Sequence, residues 1–344
     1  MTAPFSRLAM ATVAKELRDR LFHTVENVIP RRSRVALLDF PDHTNVGDSA
    51  IWLGELATLS HLESKICYVA TRTTYRAERL RRALGPDGIV LLHGGGNFGD
   101  LWPKHQDHRE QVVRELPDYP IVQLPQSICF QDRERLEEAR RALQSHDRFT
   151  VVVRDNDSLT IAREKLGLPA VLCPDSAFAI GAIEPRAGPV QPVVWLSRDD
   201  HEGPASRISG SEGVIREDWI QEPATPLLRA VAIARRLPHA PQGLNRRMFQ
   251  ALVEARVARG CALISRGAAL VTNRLHGMIL SILMGIPPFV YDTRQGKIGA
   301  FHRTWLAESM PGVMCDSERE ALDRARESVS TLAVAMTNRG TPWN

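Results

Sequence analysis

The sequence predicts an α/β protein of two halves, each a mostly parallel sheet covered by helices on both faces, with a cleft between the halves. Three observations lead there. Short β-branched apolar runs alternate with amphipathic helical stretches, as βαβ units require. A break rich in Gly and Pro, GAIEPRAGPVQP at 181–192, separates one such series from a second. The chain has 344 residues, long for one compact core and suited to two domains. The expected division is 1–185 and 186–344.

The first element is a helix. A mildly apolar stretch from Leu8 to Ala14 runs into Lys15, Glu16 and Arg18, and Leu17, Leu21 and Val25 fall on one face. Such a helix packs on the protein or lies on a membrane surface. RVALLDF (34–40), GIVLLHG (88–94), PIVQL (120–124), TVVVR (150–154) and AVLC (170–173) read as buried strands. Helical periodicity lies near 48–60, 74–84, 105–116, 132–144 and 157–166. VVWLS (193–197) opens the second half, and 199–226, polar and aperiodic, reads as a long loop near the active site. Helical patterns return at 227–236 and 247–266. LVTNRLHGMILSILMGIPPFVYD (270–292) then reads as strand, helix, strand, before KIGAFHRTWLAES and a last helix from about Ser317 to Met336.

Lys and Arg, 44 together, exceed Asp and Glu, 40, by four, and apart from short clusters such as Arg79, Arg81 and Arg82 they are scattered. A nucleic-acid surface needs a concentrated basic face, so no nucleic acid is expected as a partner, whereas small anionic substrates are compatible. Five cysteines with no CxxC pair and no paired histidine spacing suggest a reduced, intracellular protein without structural zinc. No segment reaches the roughly 18–20 apolar residues that span a bilayer.

Four loops follow strand C-terminal ends, where open α/β sheets bind ligands. In DFPDHTNVGDSAIWLGEL, Gly47 allows a tight turn, and Asp48 or Ser49 can cap the next helix, whose first N–H groups suit an anion or hydroxyl. Asn45, Gly47 and Asp48 also serve as plain turn and cap residues. In LLHGGGNFGDLW, the succession Gly94, Gly95, Gly96 costs more conformational entropy than a turn needs, which points to a ligand approaching the backbone. Asn97 and Asp100 can add hydrogen bonds or finish the turn, and the loop is neither GxGxxG nor a P-loop. In VVVRDNDSLTIAREKLG, Arg154 ends a strand and Asp157 or Ser158 begins a helix. The Arg154 guanidinium suits a carboxylate or phosphate, or pairs with Asp155 or Asp175. In TNRLHG, Arg274 and His276 stand at the start of a helix whose dipole favours an anion, which makes His276 a candidate acid or anion ligand.

NVGDSAIW, HGGGNFGDLW, VVVRDNDS, CPDSAF and TNRLHGMILSILMGIPP, in this order over about residues 34–300, resemble the polysaccharide pyruvyl transferase family. The resemblance implies two Rossmann-like domains in a GT-B-like arrangement. It implies transfer of a pyruvyl group from phosphoenolpyruvate, a co-substrate, to two sugar hydroxyls, giving a cyclic ketal and phosphate with no cofactor and no metal. In the family, the Arg and His of RLHG and an upstream Arg bind phosphoenolpyruvate and act in catalysis. Here these are Arg274, His276 and, upstream, Arg154 or Arg198. Leu275 lies between the first two, Asp48 is the acidic residue of the first loop, and Asn45, Gly94, Gly95, Gly96 and Asn97 complete the substrate-binding set. The implied acceptor is a cell-surface polysaccharide or its lipid-linked precursor, met in the cytoplasm at the inner face of the plasma membrane. Peripheral membrane association and a homo-oligomer are compatible with that setting. Two other readings share the architecture. A nucleotide-sugar glycosyltransferase calls for an acidic or polar ribose contact where TNRLHG offers Arg and His, and a non-catalytic homologue has no chemical reason to keep Arg154, Arg274 and His276 together.

Overall fold

The structure is a computed structural model, and it describes residues 5–185, 188–197, 213–223, 225–226, 228, 242–293 and 296–337. Its helices are α1 (Arg7–Glu26), α2 (Val46–His61), α3 (Ala77–Leu84), α4 (Pro103–Glu115), α5 (Arg133–Gln144), α6 (Asn156–Thr160), α7 (Gln242–Ile264), α8 (Leu275–Met284), α9 (Lys297–Trp305) and α10 (Glu318–Thr337). The chain falls into two compact units. One comprises Arg18–Ile180 with Pro223–Ala255, the other Met1–Leu17 with Gly181–Glu222 and Arg256–Asn344.

The first unit holds seven parallel strands: β1 (Arg34–Leu38), β2 (Lys65–Ala70), β3 (Ile89–Leu92), β4 (Gly95–Gly99), β5 (Ile121–Cys129), β6 (Phe149–Val153) and β7 (Ala170–Leu172). Their order is β2-β1-β3-β5-β6-β7, with β4 beside the C-terminal half of β5. Val35, Leu37, Ile89, Leu91 and Val122 pack on one face with Leu21 and Val25 of α1, Trp52 and Leu59 of α2, and Phe249 and Leu252 of α7. Ala36, Leu38, Val90, Leu92 and Ile121 pack on the other with Leu80 of α3, Val112 of α4 and Leu143 of α5. Both faces are buried, so the central strands read as unbroken apolar runs.

The second unit holds β8 (Gln191–Leu196), β9 (Val214–Glu217), β10 (Gly267–Thr272) and β11 (Pro288–Val290), parallel in the order β11-β10-β8-β9. Val193, Trp195, Ala269, Val271 and Phe289 pack there with Ala321, Leu322 and Ala325 of α10. Among the described residues no helix is long and apolar enough to cross a membrane.

Each sheet reverses its strand order once. From β1 the neighbours are β2 on one side and β3 on the other; from β8 they are β9 and β10. At such a reversal the connections leave in opposite directions, and the C-terminal ends of the two strands flank a crevice where open parallel sheets hold ligands.

Several sequence expectations change. β2 is an additional strand that the sequence expectation passed over, although Ile66 to Ala70 is an unbroken apolar run. The glycine-rich stretch is not an open loop: Gly95–Gly99 forms β4. Inside the expected loop 199–226, the β-branched Val214 and Ile215 belong to an edge strand, while Arg198, residues 199–212 and the helix expected at 227–236, apart from Leu228, lie outside the described residues. Two helices start earlier than expected. Asn45, not Asp48 or Ser49, caps α2, its Oδ1 accepting from Gly47 N, and Asp155, ahead of Asp157 and Ser158, caps α6. A capping side chain reaches two or three residues forward, so those expected caps lie within the first turn.

α2 packs so closely on the 3₁₀ turn Ser176–Ile180 that a Cβ at Gly54 would overlap the Ser176 carbonyl. In an open helix Gly→Ala stabilises by about 1 kcal/mol. Gly54→Ala should instead destabilise by about 1–3 kcal/mol through overpacking, read as a lower urea midpoint.

Candidate functional site

In the first unit the strand-order reversal brings Asp39, the residue after β1, next to His93, the residue after β3; His93 N donates to Leu38 O at 3.1 Å. Asp39 is 6 % exposed and takes a left-handed φ of 63°, which Asp adopts more readily than most side chains. Its Oδ2 accepts from His105 Nδ1 of α4 at 2.7 Å. His93, 3 % exposed, donates from Nδ1 to Glu55 Oε2 of α2 at 2.8 Å, and the other oxygen of Glu55 accepts from Gly94 N at 2.8 Å. One buried carboxylate therefore holds both the imidazole and the first glycine of the GGG run.

The charges follow from this packing. Burial opposes ionisation of Asp39, but the hydrogen bond and charge of His105, with the charges of His108 and His93, outweigh it and hold the carboxyl at about 2. Burial likewise opposes protonation of His93, and the charge and hydrogen bond of Glu55, helped by Asp48 and Asp39, outweigh it and raise the imidazole.

The glycines and Asn97 come to this same end of the sheet. A Cβ on Gly94 would stand 2.5 Å from Pro125 O and 3.3 Å from Glu55 Oε1, so the protein's own backbone and Glu55 already require glycine there. A Cβ on Gly95 would stand 3.5 Å from Asp48 Oδ1, which turns the first loop toward the glycine run, and Gly96 follows at part-buried exposure. Asp48 Oδ2 accepts from Asn45 Nδ2 at 2.8 Å. Asn97 Oδ1 accepts from Arg109 Nη2 at 3.1 Å and Gln126 Nε2 at 2.8 Å. Both lone pairs of that oxygen are then used, and the Asn97 amide nitrogen is what it can offer a ligand.

Arg154, after β6, takes the ion-pair alternative. It is 2 % exposed, its Nη1 donates to Asp175 Oδ2 at 2.7 Å, and its Nε donates to Ser127 Oγ at 2.9 Å.

In the second unit the reversal lies between β8 and β10. Thr272 Oγ1, on the last residue of β10, donates to Leu196 O at the end of β8 at 2.8 Å and accepts from Arg274 N at 3.0 Å. Arg274 is the N-cap of α8, every residue of which is buried, including Leu275 and His276. A Cβ on Gly277 would stand 2.9 Å from Thr272 Oγ1, so glycine lets the helix start close over the strand. Both oxygens of Asp218 accept from Arg274 Nη2 at 2.7 Å, and the guanidinium lies 5.8 Å from the Trp219 ring centroid. His276 is 9 % exposed.

Sequence reasoning passed over Asp39, Glu55, His93, Arg109 and Asp218. Three of these carried a signal: Asp39 ends an apolar strand run, His93 directly precedes the glycines, and Glu55 stands seven residues after Asp48, two helical turns on along one face. Asp218 carried none, because the polar stretch around it has no periodicity.

The family model described as polysaccharide pyruvyl transferase matches residues 45–294. The Schizosaccharomyces pombe (strain 972 / ATCC 24843) protein named pyruvyl transferase 1 is 33 % identical over 322 residues, covering 87 % of this chain and 75 % of that protein. EpsO of Bacillus subtilis (strain 168), named as a pyruvyl transferase, is 29 % identical over 295 residues, covering 83 % and 89 %. The crystal structure of an uncharacterized protein from Klebsiella pneumoniae subsp. pneumoniae NTUH-K2044 superposes with a TM-score of 0.56 at 14 % identity, covering 88 % of this chain and 98 % of that one, a likeness of fold.

Asp39 supplies a titration test. Its folded value, about 2, lies below the ordinary 3.8, so its ionised form stabilises the fold above the ordinary value, and that contribution is lost as pH falls through about 2. The contribution is about 2 kcal/mol. Asp39→Asn keeps a side chain that tolerates positive φ. Urea unfolding from about pH 5 to pH 2 should show the wild type losing about 2 kcal/mol more stability than the variant.

Proposed function

The chain belongs to the polysaccharide pyruvyl transferase family, and on that premise we propose that it moves a pyruvyl group from phosphoenolpyruvate to two hydroxyls of a saccharide, closing a cyclic ketal and releasing phosphate. The observation that carries the reading is the start of α8, where Arg274 and His276 meet at the strand-order reversal of the four-stranded sheet. Phosphoenolpyruvate has a carboxylate and a phosphate, and a guanidinium beside the first N–H groups of a helix suits either. A nucleotide sugar would ask for ribose contacts instead.

In this reading His276 gives a proton to the methylene carbon, and C2 becomes oxocarbenium-like. One sugar hydroxyl adds to C2 and loses its proton. Phosphate then leaves with its bonding electron pair, and the second hydroxyl closes the ring and loses its proton. Phosphoenolpyruvate and a diol thus give a ketal and inorganic phosphate, and no cofactor enters the balance. Arg274, fixed by Asp218, orients the donor. Arg154 reaches a donor group only if its pair with Asp175 opens or the anion approaches another edge of the guanidinium. The GT-B-like pairing of the two units, a cytoplasmic site of action and a lipid-linked acceptor are parts of the same proposal.

The purified protein, given phosphoenolpyruvate and a panel of glycosides, should yield a glycoside heavier by one pyruvic acid less one water, together with inorganic phosphate, by mass spectrometry and phosphate assay. Phosphoenolpyruvate alone should raise the melting temperature, since a ligand of the native state stabilises it by mass action. Stabilisation by UDP- or GDP-sugars with no response to phosphoenolpyruvate would replace this reading with a glycosyltransferase. Arg274→Lys keeps the charge but loses the planar fork, so KM for phosphoenolpyruvate should rise. His276→Gln should lower turnover by about 10² or more with donor affinity little changed; near wild-type turnover would remove His276 from the chemistry.

A further inference from the structure

We propose that the β1/β3 strand end of the first unit is a binding site for a hydroxylated ligand, with Asp39 Oδ1 accepting from one ligand hydroxyl and His93 Nε2 hydrogen-bonded to another. On the pyruvyl-transfer reading, on which the identity of the occupant rests, this ligand is the acceptor saccharide.

The first support is unmet hydrogen bonding. Asp39 Oδ1, His93 Nε2 and Gln126 Oε1 are buried side-chain atoms without a hydrogen-bond partner, on residues at most 6 % exposed. Buried polar atoms are nearly always paired, and each exception asks for a missing partner. The second support is position. Asp39 and His93 follow the two strands at which the sheet order reverses, and Gln126 lies on β5, the next strand beyond β3. This is the place where open parallel sheets hold ligands.

The chemistry of the unmet atoms selects the class of ligand. A carboxylate oxygen and an amide oxygen only accept, so two of the three call for a donor. A fully ionised phosphate or carboxylate has none to give. A hydroxyl both gives and accepts. One can donate to Asp39 Oδ1 while a neighbouring hydroxyl pairs with His93 Nε2. Among the described residues no group of three His, Cys, Asp or Glu converges as the ligands of a metal ion would.

The two side chains are also held ready. His105 fixes Asp39 through Oδ2, and Glu55 fixes His93 through Nδ1, so in each case the far atom is the unmet one. The carboxyl is kept ionised by His105, His108 and His93, which leaves Asp39 an acceptor. With Nδ1 held by Glu55, His93 Nε2 is left for a hydroxyl, which can take either role in the bond. Preorganised groups lose less on binding than side chains that must be ordered by the ligand.

The test is direct binding of methyl pyranosides of glucose, galactose, mannose, N-acetylglucosamine and N-acetylmannosamine, followed by saturation-transfer NMR on the full chain. Wild type, Asp39→Asn and His93→Phe are compared after circular dichroism has shown each to be folded. Phenylalanine keeps the ring volume and removes both nitrogens. At least one glycoside should bind the wild type, and both variants should weaken it tenfold or more, since a site built to hydrogen-bond a hydroxyl rejects poorly matched partners strongly. The melting-temperature response to phosphoenolpyruvate should stay as in the wild type. Equal glycoside binding by wild type and both variants would overturn the proposal, because those atoms then face only a buried void or water. No glycoside binding by the wild type would overturn it as well. If the wild type binds a glycoside through Asp39 and His93 yet forms no ketal with phosphoenolpyruvate, the site stands and the pyruvyl-transfer reading fails.

Discussion

A charged side chain cut off from water persists only where partners replace its hydration, and Glu55, at 1 % exposure, is held in this way by His93 and Gly94. Because its two oxygens reach different residues, the same carboxylate ties α2 to the end of β3 and sets the start of the glycine run. The glycine run then lies where β4 can pair with β5. Without a Cβ, Gly94 fits between Glu55 and the Pro125 carbonyl. The positions of His93 and Gly94 thus trace back to one buried carboxylate.

Arg109 is the positive counterpart. Its guanidinium donates to three amide oxygens, those of Gln123, Gln106 and Asn97, at 2.7, 2.7 and 3.1 Å. Burial pulls it down to about 10, with Asp39 and Glu110 working against that fall, so it stays charged at neutral pH. It also stacks 4.2 Å from the Phe98 ring centroid, which suits a weakly hydrated planar cation. A full charge is therefore kept beneath β4, held in place by dipoles. Asn97 is fixed by it and so presents its amide nitrogen in one orientation.

The central strands were legible because a parallel sheet buried on both faces leaves an apolar run that no other element of that length produces. β2 was passed over although Ile66 to Ala70 is such a run, and β4 was not legible, since glycine carries no strand propensity. The passage of the chain between units was legible only near the Gly and Pro stretch at 181–192. The crossings at 17/18 and 255/256 fall inside α1 and α7, where composition does not change. Among the candidate residues, Arg154, Arg274 and His276 stood out because they interrupt apolar surroundings. Asp175 is visible as one possible mate for Arg154, but Asp218, which holds Arg274, and Glu55, which holds His93, look in sequence like ordinary loop and helix residues. Pairing across dozens of residues is decided by the fold, not by local spacing.

That pairing changes what each guanidinium can offer an anion. Arg274 already holds Asp218 on Nη2, and Arg154, in the other unit, already holds Asp175 on Nη1, so neither guanidinium carries an unopposed charge. The compensation lies in entropy. A guanidinium clamped by a carboxylate has lost its rotamer freedom during folding, and a ligand that fits the fixed geometry does not bear that cost again.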